Sequence, residues 1–313
     1  MQALRRIQYH RYGGPEVLRL EEFEPATLRR GEALVRVRAA AVNGMDWKIR
    51  RGELRAMTGQ RFPRGLGHDF AGVVEGIGEG VSRIRVGDSV LGAAGIRRAG
   101  AFADVVIADE RAVVRKPDGL SYEQAATLPI VGVTALQALR SAGRLQRSQS
   151  VFIHGCAGAV GTTAVQLAIR HGASVTGSCR PSAARAAAAR GVDLIVEFDF
   201  DPTLLTHRFD IVLDTTGTLP VGTGRALVKP GGHIIDIVPS PRKFVRSLLP
   251  GPYSVHMGRP DVSDLEEIAT TAAHGDLVLP IARTVPLDEA IPAIVELETK
   301  GTPKGGKVVV VMG

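Results

Sequence analysis

Apolar and polar positions alternate with two different periods along the chain. Residues 33–39 (Ala-Leu-Val-Arg-Val-Arg-Ala) alternate apolar with basic, the pattern of a half-buried strand. Residues 70–75 and 89–92 read as further short strands, and Gly65, Gly67, Gly72, Gly76, Gly78, Gly80 and Gly87 punctuate this stretch. Such spacing suits tight turns and bulges in a strongly bent sheet. From Ser121 the pattern changes. Ser121 and Gln124 have the spacing of a capping box, so a helix starts there. Strand and helix patterns then take turns: strand 151–153, helix 161–170, strand 174–177, helix 182–190, strands 193–196 and 209–214, helix 220–228, strand 233–238. This alternation predicts a parallel, doubly wound sheet. Helices at 266–274 and 287–300 and a strand at 307–312 follow. The expected division is 1–120 with 275–313 as one domain and 121–274 as the other. The fold class is α/β.

Composition removes several classes. The chain has 313 residues, 44% hydrophobic and 23% charged, so two packed domains are within reach. Two cysteines, Cys156 and Cys179, cannot build a disulfide framework or a Cys-rich zinc lobe. No apolar run approaches the roughly 20 residues of a membrane span. Residues 1–9 lack the apolar centre of a signal peptide, so a cytoplasmic location is expected. The formal charge is +7. Arg5-Arg6, Arg29-Arg30 and Arg50-Arg51 are scattered without interleaved aromatics, so no nucleic-acid groove is read from them. Residues 242–249 (Arg-Lys-Phe-Val-Arg-Ser-Leu-Leu) mix basic and apolar positions. A solvated loop or a subunit interface is preferred there over a membrane or an acidic partner, and no stable membrane insertion is expected.

The sharpest chemical signal is at 151–161. Val-Phe-Ile-His is followed by Gly155-Cys156-Ala157-Gly158-Ala159-Val160-Gly161, a strand entering a glycine turn and then a helix. Small residues let the backbone approach a pyrophosphate whose charge faces the helix N-terminus. The spacing departs from the strict G-x-G-x-x-G pattern, and a ligand-free βα turn is the plain alternative. An acid about 20 residues past the first glycine would hold an NAD ribose. Here Ser178-Cys179-Arg180 fills that place, and no Asp or Glu occurs between Gly155 and Asp193. A guanidinium can grip a 2′-phosphate that a carboxylate would repel. The expected cofactor is NADPH, with Ser178 and Arg180 at its 2′-phosphate.

Together these segments resemble the zinc-independent quinone oxidoreductase branch of the medium-chain dehydrogenase/reductase superfamily. The resemblance rests on Tyr12-Gly13-Gly14-Pro15, Val42-Asn43-Gly44-Met45-Asp46-Trp47, Gly67-His68-Asp69-Phe70-Ala71-Gly72, Val86-Gly87-Asp88, Gly100-Ala101-Phe102, Leu128-Pro129, the glycine turn and Gly305-Gly306-Lys307-Val308. It implies a GroES-like bent β-barrel catalytic domain beside a Rossmann domain. Zinc-dependent relatives use Cys, His and Cys as ligands. Asn43 stands at the first position, His68 remains, and no Cys occurs near Ile130, so no metal is expected and His68 is read as structural. The implied reaction is hydride transfer to a quinone or an α,β-unsaturated carbonyl. Asn43, Asp46 and Trp47 are the implied catalytic contacts. Thr134, Gly158, Ala159, Val160, Thr215, Thr216, Gly217, Val238 and Lys307 are the implied cofactor contacts, with Phe198 replacing a tyrosine that relatives place near the adenosine phosphate. A homodimer is implied too. An enoyl-thioester or 2-alkenal reductase, or a non-catalytic NADPH-binding protein, are the alternatives.

Overall fold

The computed structural model describes residues 3–301 and 306–313, so Gly305 of the closing motif lies outside the described residues. Two compact units emerge: residues 1–130, 260–274 and 279–313 form one, and 131–259 with 275–278 the other.

Unit 1 is mostly β. Its elements are β1 (Arg5–Tyr9), β2 (Arg19–Glu22), β3 (Glu32–Ala41), α1 (Gly44–Arg50), α2 (Arg55–Thr58), β4 (Arg64–Gly65), β5 (Asp69–Ile77), β6 (Ser89–Ala93), β7 (Val105–Asp109), β8 (Val113–Arg115) and α3 (Tyr122–Ala126). The anticipated alternation in β3 is present: Ala33, Val35 and Val37 are buried while Arg36 points outward to pair with Glu75 on β5. Gly72 allows β3 and β5 to close up at a register shift, since a Cβ there would lie 2.1 Å from the Arg36 carbonyl oxygen. The capping box at Ser121 forms, with Gln124 N donating to Ser121 Oγ (3.2 Å) and Ser121 N to Gln124 Oε1 (2.9 Å).

Unit 2 begins in α4 (Pro129–Gln137) and continues through β9 (Ser150–His154), α5 (Ala159–Arg170), β10 (Ser174–Ser178), α6 (Pro181–Ala188), β11 (Leu194–Val196), β12 (Phe209–Asp214), α7 (Val221–Leu227), β13 (Val228–Asp236), α8 (Pro241–Ser247) and β14 (Tyr253–Val255). Its six strands run in the order β11-β10-β9-β12-β13-β14, all parallel, the expected doubly wound sheet. Strand order reverses between β9 and β12, where open α/β sheets place their ligands.

The chain then returns to unit 1 as α9 (Val262–Ala273), β15 (Ile281–Pro286), α10 (Ala290–Lys300) and β16 (Lys307–Val311). β16 pairs with β15 on one side and with Ala39–Ala41 of β3 on the other, inside a seven-stranded sheet. The core of this unit runs from Ile7 and Tyr9 through Val35, Phe70 and Phe102 to Ile294 and Val310. The unit borders differ from the sequence expectation at 120 and 274, because α3 packs on β3 and β5, and α9 on β8. α9 also starts earlier than its apolar pattern suggests, since the Asp261 side chain caps it by accepting from Asp264 N (3.0 Å).

Candidate active site

The glycine turn of unit 2 stands at the strand-order reversal. Gly155 has φ +87°, a conformation that costs L side chains strain, and its N–H and that of Cys156 donate to Ser178 O (3.0 and 3.1 Å). Gly158 caps α5, and a Cβ at Gly158 would meet nothing closer than 3.4 Å. The N-terminus of α5, with Ala159 and Val160 in its first turn, is thus approachable by a diphosphate. Gly161 has a different duty, because a Cβ there would lie 2.1 Å from Gly155 O. It lets the helix sit down on the turn.

Hydrogen bonds tie the neighbouring strand ends together. His154 Nδ1 bonds Ser178 Oγ (2.7 Å) and its Nε2 meets Thr218 Oγ1 (3.1 Å). Burial holds His154 below the usual imidazole range against the opposing pull of Asp214. Thr215 Oγ1 donates to His154 O (2.8 Å). Asp214 accepts from Thr216 N (2.9 Å), Gly217 N (2.8 Å) and Leu219 N (2.9 Å), fixing the loop after β12. Beyond β13, the Lys243 ammonium bonds Asp236 (2.7 Å), Gly217 O (2.9 Å) and Val238 O (3.1 Å). The structure therefore gathers Gly155, Thr215, Thr216, Gly217 and Val238 along one end of one sheet. Thr134 sits half-buried on α4 against the backbone of Gly258. Ser178 is buried with its hydroxyl on His154, whereas Arg180, at the N-cap of α6, is exposed and has no recorded ion pair among the described residues. Phe198 is 42% exposed and sets its ring edge-on to His154 at 4.9 Å. The Cys156 and Cys179 thiols are both free and buried. Burial, then its neighbour, pushes Cys156 up to about 12, and burial raises Cys179 as well. Such thiols are poor nucleophiles.

Unit 1 holds a second polar cluster. Asn43 N donates to Asp46 Oδ2 (2.8 Å), and Asp46 Oδ1 takes His68 Nδ1 (2.8 Å). Asn43 Nδ2 donates to Asp69 Oδ2 (2.9 Å), and Lys307 Nζ donates to Asn43 Oδ1 (2.7 Å). Asp69 Oδ1 accepts from Ile130 N (3.0 Å). All five side chains are buried. Asn43 thus meets both Asp46 and Lys307, and Lys307 engages its ammonium within unit 1. Trp47 follows Asp46 on α1 and packs on the core. From sequence alone Asp69 has no assigned role and His68 reads as structural. Yet His68 Nε2 is buried with no hydrogen-bond partner among the described residues, and a buried polar atom left so invites a ligand or water.

Burial, opposed by Lys307 and Asn43, raises Asp69 from its usual range to about 6, and burial lowers Lys307 against the pull of Asp69. The folded chain therefore keeps the Asp69 proton to about pH 6, where the unfolded chain releases it near 3.8. This contribution to stability is present below pH 3.8 and is lost as pH rises through about 6. Asp69→Asn should flatten that fall, measured as urea-unfolding free energy across the window. Equal pH slopes for both proteins would refute it.

The alcohol dehydrogenase GroES-like domain family matches residues 29–118, and the zinc-binding dehydrogenase family matches residues 180–310. A quinone oxidoreductase of Pseudomonas aeruginosa is 33% identical over 240 residues, covering 74% of this chain and 72% of its own. The chain belongs to the quinone oxidoreductase branch of the medium-chain dehydrogenase/reductase superfamily. The solved quinone oxidoreductase of Coxiella burnetii superposes with a TM-score of 0.89 at 29% identity, over 99% of both chains. A 2-methylene-furan-3-one reductase of Solanum lycopersicum is 32% identical over 243 residues, 72% of this chain and 60% of its own. As a member of this oxidoreductase superfamily the protein is built for a nicotinamide cofactor, which the open approach to α5 at Gly158 suits. The residues do not suit a catalytic zinc. Asn43 offers an amide already held by Lys307 and Asp69, and among the described residues no three His, Cys, Asp or Glu side chains converge for a metal.

Proposed function

We propose that this quinone oxidoreductase-like protein uses NADPH to reduce quinones or α,β-unsaturated carbonyls without zinc. The observation that carries the cofactor choice is the exposed Arg180 just beyond β10, in a stretch from Gly155 to Val192 that lacks any acid. When bound, the reduced nicotinamide supplies the hydride. Gly158, Ala159 and Val160 hold the diphosphate at the α5 N-terminus, Arg180 grips the 2′-phosphate, and Thr134, Thr215, Thr216, Gly217 and Val238 line the cofactor's path.

On the substrate side, Asn43 and Asp46 act as positioning residues, because their polar atoms are already engaged. Asp46 holds the Nδ1–H side of His68, and in its doubly protonated form the ring would offer Nε2–H to the substrate oxygen, with Trp47 beside it in sequence. A conjugated acceptor spreads its developing charge and needs less electrophilic help than a simple ketone, which fits a site with one imidazole and, among the described residues, no group of metal-ligating side chains. Lys307 belongs to this positioning network rather than to the cofactor's contacts. The reading includes a cytoplasmic location and a homodimer, and light scattering on the purified protein tests the homodimer.

The decisive assay follows NADPH oxidation with benzoquinone, phenanthrenequinone, a 2-alkenal and an enoyl thioester. Turnover of the thioester or alkenal alone would move the assignment to the alternative reductases, and tight NADPH binding with no turnover would make the protein a binder. Arg180→Ala should weaken NADPH by about 10- to 100-fold, the loss of a charged hydrogen-bond pair, and leave NADH unchanged in a fluorescence titration. Equal losses for both cofactors would remove the 2′-phosphate assignment.

A further inference from the structure

Among the described residues, three Lys or Arg side chains are buried in unit 1: Arg50, Arg64 and Lys307. Arg50 has the Glu298 carboxylate, and Lys307 has Asp69 at 3.7 Å. Arg64, on β4, meets no carboxylate among the described residues. Its Nη2 donates to Thr58 O (2.6 Å), its Nη1 reaches Ile96 O at 3.5 Å, and its Nε is buried without a partner there. Carbonyls satisfy N–H groups but do not neutralise a charge, and a buried charge is costly unless it is paired. Tyr9 stands directly opposite Arg64 in the antiparallel pairing of β1 with β4, so the two side chains share a face, with Cβ atoms about 5 Å apart. Tyr9 is 0% exposed, and its hydroxyl also has no partner among the described residues. Burial raises this phenol above its usual range, and Arg64 is the charge that opposes the rise most. Asp46 and Arg50 act on it as well, so the pair lies beside the Asp46–His68 couple. The Tyr9 ring packs on Tyr12 (6.4 Å) and Phe62 (6.0 Å), which meet each other at 5.1 Å. Both are only half-buried, so an aromatic face leads from the buried pair towards solvent.

We propose that Arg64 and Tyr9 form a carboxylate-binding subsite for the hydride acceptor, which makes that acceptor an acidic quinone or enone. The two unpartnered groups can both donate, one N–H and one O–H, and a carboxylate offers an oxygen to each. It also brings the negative charge that Arg64 lacks. Water accepts from the same donors but leaves the guanidinium without a counter-charge. The rings of Tyr12 and Phe62 suit a flat, conjugated molecule. The subsite rests on the proposed reduction of a conjugated acceptor and adds what that acceptor carries.

Two measurements separate the subsite from the reaction. In the first, benzoate is titrated calorimetrically into the full-length protein without cofactor. It should bind, and benzamide, of the same shape without the charge, should bind about tenfold more weakly or worse. Arg64→Gln should weaken benzoate by about 10- to 100-fold, the loss of a charge-assisted hydrogen bond. Tyr9→Phe removes only a hydroxyl that bonds nothing in the free protein. It should melt no lower than the parent yet bind benzoate about tenfold less tightly, whereas a purely structural tyrosine would leave that binding unchanged. Should Arg64→Gln fail to fold, Tyr9→Phe and benzamide still decide. In the second, NADPH oxidation is followed with trans-3-acetylacrylate and with its methyl ester. The acid should have the higher kcat/KM, and its advantage should shrink by about 10- to 100-fold in Arg64→Gln. No benzoate binding, equal binding of benzamide, benzoate binding untouched by the variants, or a preference of the parent for the ester overturns the subsite. Benzoate binding that depends on Arg64 and Tyr9, with no turnover of either compound, upholds the carboxylate site and refutes the proposed reduction, so the two failures are told apart.

Discussion

Glu298→Ala should cost about 3–5 kcal/mol of folding stability, the loss expected when one partner of a buried ion pair is removed. Arg50 on α1 and Glu298 on α10 are 0% and 1% exposed at the side chain, and Arg50 Nη2 reaches both carboxylate oxygens at 2.8 and 2.9 Å. Arg51 joins the same carboxylate, and Arg50 Nε donates to Gly13 O (3.2 Å). Truncating Glu298 strands a guanidinium that is 0% exposed and whose Nη1 already has no partner among the described residues. Against a total of about 5–15 kcal/mol, the loss threatens the folded state and should lower Tm by roughly 6–20 °C. Glu79 is the internal control. It pairs with Arg30 where both side chains are largely exposed, so Glu79→Ala should change stability by about 1 kcal/mol at most. Chemical denaturation of the three proteins decides the matter. A Glu298 variant as stable as the Glu79 variant would mean that water reaches Arg50.

Gly161→Val should disable the cofactor site more completely than any change to a contacting side chain. Its first added carbon would stand 2.1 Å from Gly155 O and 2.9 Å from Cys156 Cα, both backbone atoms that cannot swing aside. α5 must lift from the turn. Overpacking of this kind costs about 1–3 kcal/mol, and displacing the helix N-terminus by an ångström is worth about a hundredfold in affinity or rate. Gly158→Ala separates packing from binding. Its added methyl would be 3.4 Å from the nearest atom, so the thermal melt should hold while NADPH binding weakens. Normal binding by the Gly161 variant, measured by cofactor fluorescence, would show that the turn does not need this close approach.

How far the sequence could be read follows from the range of the interactions. The phosphate turn is contiguous, and its glycines, its strand and its helix were all visible. So were the alternation of β3 and the capping box at Ser121. α4 was not, since Pro129–Gln137 is almost uniformly apolar and its burial hides any period. β1 was hidden too, because Arg5–Tyr9 mixes basic, polar and apolar residues in the short central strand of a three-stranded sheet. In the unit 1 cluster, Asn43 and Asp46 were legible as one motif. Their completion by Lys307, 264 positions away, was not, and neither was the inward turn of Lys243 within a stretch that reads as surface. Local pattern shows which residues form an element, and only tertiary closure shows which of their atoms are already taken.

The placement of β16 also bears on how the protein is made. A ribosome delivers residues at about 5–20 per second, and every strand of the parallel sheet, from Ser150 to Val255, is complete before Lys307 is added. That sheet can therefore assemble during synthesis. The bent sheet cannot, because Ala39–Ala41 of β3 has no partner on one side until Val309–Val311 arrives, and Asn43 waits just as long for its ammonium. Until Val309–Val311 is made the nascent chain thus carries an open strand edge, a ready template for intermolecular pairing, and strands made before the parallel sheet are completed after it.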